Sequence, residues 1–138
     1  MFWKKREMMF KFFGVFIILH GIVHLLYFGQ SRKLFELKPG MTWPVPSWAL
    51  SKILGDRGIR KLAGILCFLA AVGLVTGGIG ILVELSWWDN SVVISVVLST
   101  VLYILFWDGK ICKLSEKGGI GVLINLGILC LVYFVFKA

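Results

Sequence analysis

Acidic residues are scarce in this chain. Seven Asp and Glu stand against 15 Lys and Arg among 138 residues, and the charged types together make up 16% of it, well under the roughly one quarter of an ordinary soluble domain. Cysteine and proline are rarer still at three each, and there are two histidines. Three cysteines make no disulfide framework, and no C-x-x-C pair is present to run a membrane thiol oxidoreductase. Cys67 and Cys130 fall at depths ~7 Å apart in their segments, so unpaired thiols are expected. Apolar residues fill the space: 59% of the chain is hydrophobic and 14% aromatic, with a mean hydropathy of +0.91. A water-soluble globule of 15.5 kDa buries too small a fraction of its surface to hide so much apolar area. A soluble enzyme, a disordered tail and a disulfide miniprotein are thereby excluded, and a protein embedded in lipid remains. In such a chain a formal charge of +8 points to loops held against anionic headgroups rather than to nucleic acid.

Four apolar segments, 12–28, 62–83, 92–107 and 120–136, approach the length a helix needs to cross ~30 Å of hydrocarbon at ~1.5 Å per residue. The third is short and borrows Leu85–Asn90 as an interfacial first turn. The expected fold is all-α, a single transmembrane domain built as an antiparallel four-helix bundle, placed in the plasma membrane as a multi-pass protein. Met1–Lys11 is basic, but no small-residue cleavage site follows Phe28, so the first segment reads as a retained helix. Its twelve Phe, Ile, Leu and Val residues supply roughly −4 to −7 kcal/mol toward insertion, enough to carry two histidines into the bilayer.

The long connection, 29–61, holds Pro39, Pro44, Pro46, Trp43, Trp48 and seven Lys/Arg. That composition suits a segment lying in the membrane interface; the alternative is a lid over a site. Ser47 is placed to cap a short helix with Leu50, Ile53 and Leu54 on one face, and Asp56 to cap the second span. The connection and the loop 108–119, with Lys110, Lys113 and Lys117, put ten Lys/Arg on one membrane face against five on the other. The count favours both termini outside, and the basic N-terminus opposes it. Trp87, Trp88 and Asp89, with Glu84, mark the other face as an aromatic belt around a tight turn.

Polar residues inside the apolar segments carry what chemistry there is. His20 and His24 are spaced i, i+4 and share a helix face with Tyr27, and ionisable residues in a span usually face the bundle interior. Counting from the expected helix ends puts His24, Tyr103, Asn125 and Cys67 in one layer ~6–8 Å below the basic interface, with His20 and Ser99 ~6 Å deeper. Asp108 closes the third span on the same side. These residues outline a polar half-cavity open toward the basic face. Three readings remain open: hydrogen-bonding glue between helices; a pocket for a lipid-soluble molecule, a quinone or a lipid, anchored by His24, Tyr103 and Asn125; and metal or haem ligation by His20 and His24. The third has no H-E-x-x-H and no further histidine to draw on, and two histidines on one helix clamp both faces of a haem only across a dimer. Ala70, Gly73, Gly77 and Gly80 form a small-residue stripe that permits close helix packing, either within the bundle or between protomers of a homo-oligomer or larger membrane complex. Gly118, Gly119 and Gly121 lack the strand context of a phosphate loop.

The strings His20-Gly21-Ile22-Val23-His24-Leu25, Phe106-Trp107-Asp108-Gly109-Lys110, and Gly121 with Asn125-Leu126 resemble those of the small prokaryotic four-helix membrane proteins grouped as DoxX-like. The resemblance implies a four-span bundle and, from the association of a few relatives with quinone-linked sulfur oxidation or redox stress, favours a quinone-type pocket. It transfers no catalytic residue; whether the chain is an enzyme stays open, with a non-catalytic role favoured. The expected function is therefore ligand binding around the histidine pair; the alternative is a structural subunit without a ligand.

Overall fold

A computed structural model describes residues 1–112, 114 and 117–136. Lys113 and Lys137, which enter the charge asymmetry, lie outside the described residues. Those residues form helices α1 (Phe2–Ser31), α2 (Asp56–Leu82), α3 (Trp88–Leu105) and α4 (Gly119–Leu131), the last prolonged by a π-helical turn, Val132–Phe136, and no strand. All four are long and apolar enough to cross a membrane. Two apolar clusters run through the bundle. One gathers Phe13, Leu74, Ile81, Val92, Ile128 and Val132, the other Ile59, Ala63, Cys67, Leu102, Tyr103 and Phe106. The start of α1 thus meets the end of α2, the start of α3 and the end of α4, which makes consecutive helices antiparallel.

Helix ends differ from the expected ones for local reasons. The first helix begins at Phe2, because residues 2–11 contain neither glycine nor proline, and Arg6 lies 5.8 Å from the centre of the Phe10 ring one turn on. At its far end it runs past Phe28 to Ser31 and closes in a Schellman turn: Leu34 N–H donates to the Gly29 carbonyl at 3.0 Å and Lys33 N–H to Gln30 at 3.1 Å, with Lys33 at φ 58°. The second helix ends the same way, Leu85 N–H on the Gly80 carbonyl at 2.8 Å and Glu84 at φ 58°. Glycine usually takes this left-handed position; Lys33 and Glu84 gave no such signal. Asp56 is not the expected cap: Gly55 holds that place and Asp56 lies inside the first turn.

Close packing follows two small-residue stripes on α2. A Cβ added at Gly78 would come within 2.8 Å of the Gly14 carbonyl oxygen, and one at Gly21 within 3.1 Å of that of Ala71, so α1 and α2 nearly touch backbone to backbone. The other stripe is the expected one, and it faces α3 in the same chain: Gly73 lies against Ser95, a Cβ at Gly77 would meet Val92 N at 3.3 Å, and one at Gly80 Trp88 Cβ at 3.1 Å. Ala70 continues it into the apolar cluster around Tyr103. These residues therefore pack inside the protomer.

The connector 32–55 packs against the helices. It is folded onto the end of the bundle: Met41, Trp43, Pro44 and Ser47 are buried, and Met41 and Trp43 belong to the cluster of Tyr103 and Phe106. No regular helix follows Ser47; the segment is a series of turns. Ser47 Oγ does accept from Leu50 N–H at 3.1 Å, as a cap would, but it donates to the Leu105 carbonyl at 2.6 Å. Trp48 Nε1 donates to the Ile104 carbonyl at 2.7 Å and Trp48 N–H to Trp107 at 2.8 Å. The connector thereby supplies the donors that the final carbonyls of α3 lack. It plugs the end of the bundle.

Candidate functional site, a buried polar ring under an aromatic plug

Between the two apolar clusters lies a ring of hydrogen bonds whose direction can be worked out from its chemistry. The His20 carbonyl only accepts, so His24 Nδ1, 2.9 Å away, carries the proton. In the neutral ring Nε2 is then an acceptor, and Ser99 Oγ donates to it at 2.6 Å. Ser99 Oγ in turn accepts from Asn125 Nδ2 at 2.9 Å. The second hydrogen of that amide goes to Thr100 Oγ1 at 3.1 Å, and the Thr100 hydroxyl donates to the Val96 carbonyl at 2.9 Å. Asn125 Oδ1 accepts from His20 Nε2 at 2.8 Å, which returns the chain to α1. With both imidazoles neutral, every donor in the ring has an acceptor, so the burial of these groups is compensated. His24, Ser99 and Asn125 are wholly buried, and His20 is 5% exposed. Each such bond between helices in lipid is worth about 0.6–2 kcal/mol.

The layering expected from sequence needs correction. From the observed ends, His24 lies seven residues before the end of α1, Ser99 six before the end of α3 and Asn125 six after the start of α4. These three share a level, whereas Tyr103 is two residues from the end of α3 and lies above them. Extension of α1 to Ser31 and termination of α3 at Leu105 account for the shift. Tyr103 stacks over the ring rather than joining it, 5.6 Å from His24 and 5.3 Å from Tyr27 between ring centres. Its own ring fills the space that side chains at Gly118 and Gly121 would occupy, and Gly118 adopts φ 87° beside it. The glycines at the head of α4 therefore seat an aromatic ring.

Cys67 is buried in the apolar cluster beside Tyr103 and takes no part in the hydrogen bonding. Cys112 and Cys130 are exposed free thiols. Asp108 is not in the ring either. It pairs with Lys117 at 2.8 Å and accepts from Lys110 N–H at 2.9 Å, clasping the connection between α3 and α4. Slight burial works to raise its pKa, but the hydrogen bonds and positive charges of Lys117 and Lys110 prevail and hold the carboxyl below its ordinary value.

The half-cavity open toward the basic side is closed in the structure. Trp43 of the connector packs edge-on to Tyr27 at 5.0 Å and lies 6.2 Å from both Tyr103 and Phe106, forming a roof over the ring. Gln30 holds this roof down: its amide nitrogen donates to the carbonyls of Met41 at 3.0 Å and Trp43 at 3.3 Å, and its oxygen accepts from Leu37 N–H at 2.9 Å. Arg60 adds a bond to the Thr42 carbonyl at 3.2 Å while reaching the Ser31 carbonyl at 3.4 Å. Among the described residues, one buried side-chain polar atom has no partner, the indole nitrogen of Trp43. A cavity of about 40 Å³ adjoins this residue, bounded by Met41, Pro46, Phe106, Asp108 and Lys117.

Ligation of a metal or haem fits this arrangement poorly. Both nitrogens of His24 and one of His20 are engaged in the ring, so two-point coordination would dismantle it. No group of three His, Cys, Asp or Glu side chains converges among the described residues. Gln30, Arg60 and Thr100 escaped the sequence reading. Gln30 falls just beyond the expected end of the first span, and Thr100 is one residue from Ser99 on a segment where a lone hydroxyl carries no signal. Comparisons with known protein families, with characterised proteins and with solved structures gave no match.

Proposed function

We propose that this chain is a multi-pass membrane protein whose bundle receives the polar head of a lipid-soluble small molecule beneath the connector plug, and that a quinone is the ligand class that suits it. On this reading its kinship lies with the DoxX-like proteins whose motifs it resembles. The observation that carries the reading is the Trp43 indole N–H, a buried donor without an acceptor. Leaving such a group unpaired costs about 1–3 kcal/mol. A ligand carbonyl supplies the missing acceptor, and a quinone is a flat apolar ring bearing two of them. The adjoining 40 Å³ accommodates a carbonyl oxygen but not a ring, so binding draws the segment 41–47 outward, and Tyr27, Tyr103 and His24 then line the opening.

Calorimetric titration of the purified protein in nanodiscs with a short-chain benzoquinone tests this. Trp43→Phe and His24→Ala should each weaken binding about tenfold, and Thr76→Ala, whose hydroxyl bonds the Val72 carbonyl of its own helix at 2.8 Å, should leave it unchanged. Equal binding by all three variants removes the proposal. A second reading, a structural or assembly subunit with no ligand, is favoured by the completeness of the polar ring. It requires that no quinone be extracted with the protein or bind to it.

A further inference from the structure

Where α1 ends and α2 begins, the surface carries a cleft of about 600 Å³. Arg32, Lys33, Arg57, Arg60 and Lys61 line it with a single carboxylate, Asp56, a formal excess of four positive charges. Arg60 is turned to backbone carbonyls. The other four cations have no carboxylate within ion-pair distance among the described residues, where the one salt bridge is Lys117 with Asp108. The N-cap of α2, Gly55, makes no side-chain cap hydrogen bond, and the positive end of the helix dipole adds to the charge there.

Immediately deeper the chemistry changes. Phe28 and Phe68 pack across the α1–α2 seam with ring centres 6.1 Å apart, and Ile65 and Leu25 beside them are exposed. The cationic cleft thus sits on top of an apolar seam, the profile of one amphipathic molecule standing upright with its anionic end at the helix termini. The opposite end of the bundle offers a cleft of similar size, about 580 Å³, but there Arg6 and Lys11 are balanced by Glu7 and Glu84.

We propose that the cleft formed by Arg32, Lys33, Arg57 and Lys61 binds the headgroup of an anionic phospholipid, whose acyl chains descend along the Phe28–Phe68 seam. This site is separate from the polar ring and stands whether or not the bundle takes a quinone. A test is native mass spectrometry of the full chain in micelles containing equal phosphatidylglycerol and phosphatidylcholine. The wild type should retain phosphatidylglycerol preferentially. Arg57→Ala with Lys61→Ala, both exposed positions, should reduce that retention about 25-fold, from about fivefold per basic residue near an anionic surface, whereas Arg6→Ala with Lys11→Ala should leave it unchanged. Equal loss in both double variants would mean general surface charge and overturn the site, as would wild-type retention by the first. Displacement of the lipid by equimolar inorganic phosphate would show that the headgroup phosphate alone is bound, and overturns the lipid assignment. Phe68→Ala separates the two parts of the ligand: the lipid reading requires weaker retention of phosphatidylglycerol, and unchanged retention contradicts it.

Discussion

The two ends of the bundle are both closed by aromatic residues, by different means. At the end where α2 turns into α3, Phe10, Phe13, Trp88 and Phe136 pack on one another, Phe13 nearly parallel to Phe136 at 4.7 Å and Trp88 edge-on to both Phe10 and Phe136. All four come from the helices or the turn prolonging α4, whose backbone groups are largely satisfied within the elements themselves. At the other end the decisive ring, Trp43, arrives on a loop. A loop brings unpaired carbonyls and N–H groups into the core, and Gln30, Arg60, Ser47 and Trp48 exist there to meet them. One donor is still left over. A closure made by helices can be undone only by moving the helices themselves, whereas a closure made by a loop can be displaced with the helices left in place, which is why the proposed ligand is assigned to the connector end.

The largest expected effect tests what the two ends share. Gly78→Leu drives a side chain into the Gly14 backbone, where a Cβ alone would already lie within 2.8 Å of its carbonyl. It should cost about 3 kcal/mol or more, measured as a large fall in the thermal midpoint in detergent, with both ends lost together. Survival of the midpoint would mean that the α1–α2 crossing is not the common spine.

Next, Gln30→Leu should separate the ends. It leaves two buried carbonyls and one N–H without their partner, a loss of about 2–3 kcal/mol, and should accelerate amide exchange across residues 37–47 while Phe10–Phe16 stay protected. Uniform acceleration through the chain would erase the distinction between loop and helix closure.

Smaller effects come from the two Schellman turns, one at each end. Lys33 and Glu84 hold left-handed angles that cost a side-chain-bearing residue about 1–2 kcal/mol. Lys33→Gly and Glu84→Gly should each raise stability by about 1 kcal/mol in a denaturation series. A decrease at either position would mean that its side chain does more than its backbone loses.

The smallest effect concerns acid. Because the Asp108 carboxyl is held below its ordinary value of 3.8 by Lys117 and Lys110, its contribution to folding is present at neutral pH. That contribution fades as pH falls below 3.8 and through the lower folded value. Asp108→Asn should remove this part of the acid sensitivity and leave the pH dependence elsewhere unchanged. The groups are partly solvated, so the change is small.

Much of the scaffold is legible in the sequence. Long apolar runs mark the helices because a run without proline or charge has few alternatives, and the Ala70–Gly80 stripe marks close packing because small residues at helical spacing permit it. The polar members of the ring, His20, His24, Ser99 and Asn125, stand out for the complementary reason that polarity inside an apolar run is costly. Their connectivity was not legible. Layers counted from assumed helix ends carry the error of those ends: three residues of extra helix at Ser31 and two fewer at Leu105 put Tyr103 above His24 rather than level with it. The connector was hardest to read, since Trp43 and Trp48 suit an interface as well as a core, and Gln30 acquires its role only when residues 37–43 fold back onto it.

What the amino-acid sequence determined alone is that the chain forms four long apolar helices: 59% apolar residues in long runs decide this through side-chain apolarity and backbone hydrogen bonding, which are local properties. Tertiary structure alone decided which polar groups meet, that the ring closes on itself, and that the connector seals it. These depend on distances between residues far apart in the chain, such as the 2.8 Å between His20 and Asn125, and no local pattern encodes a distance across a bundle.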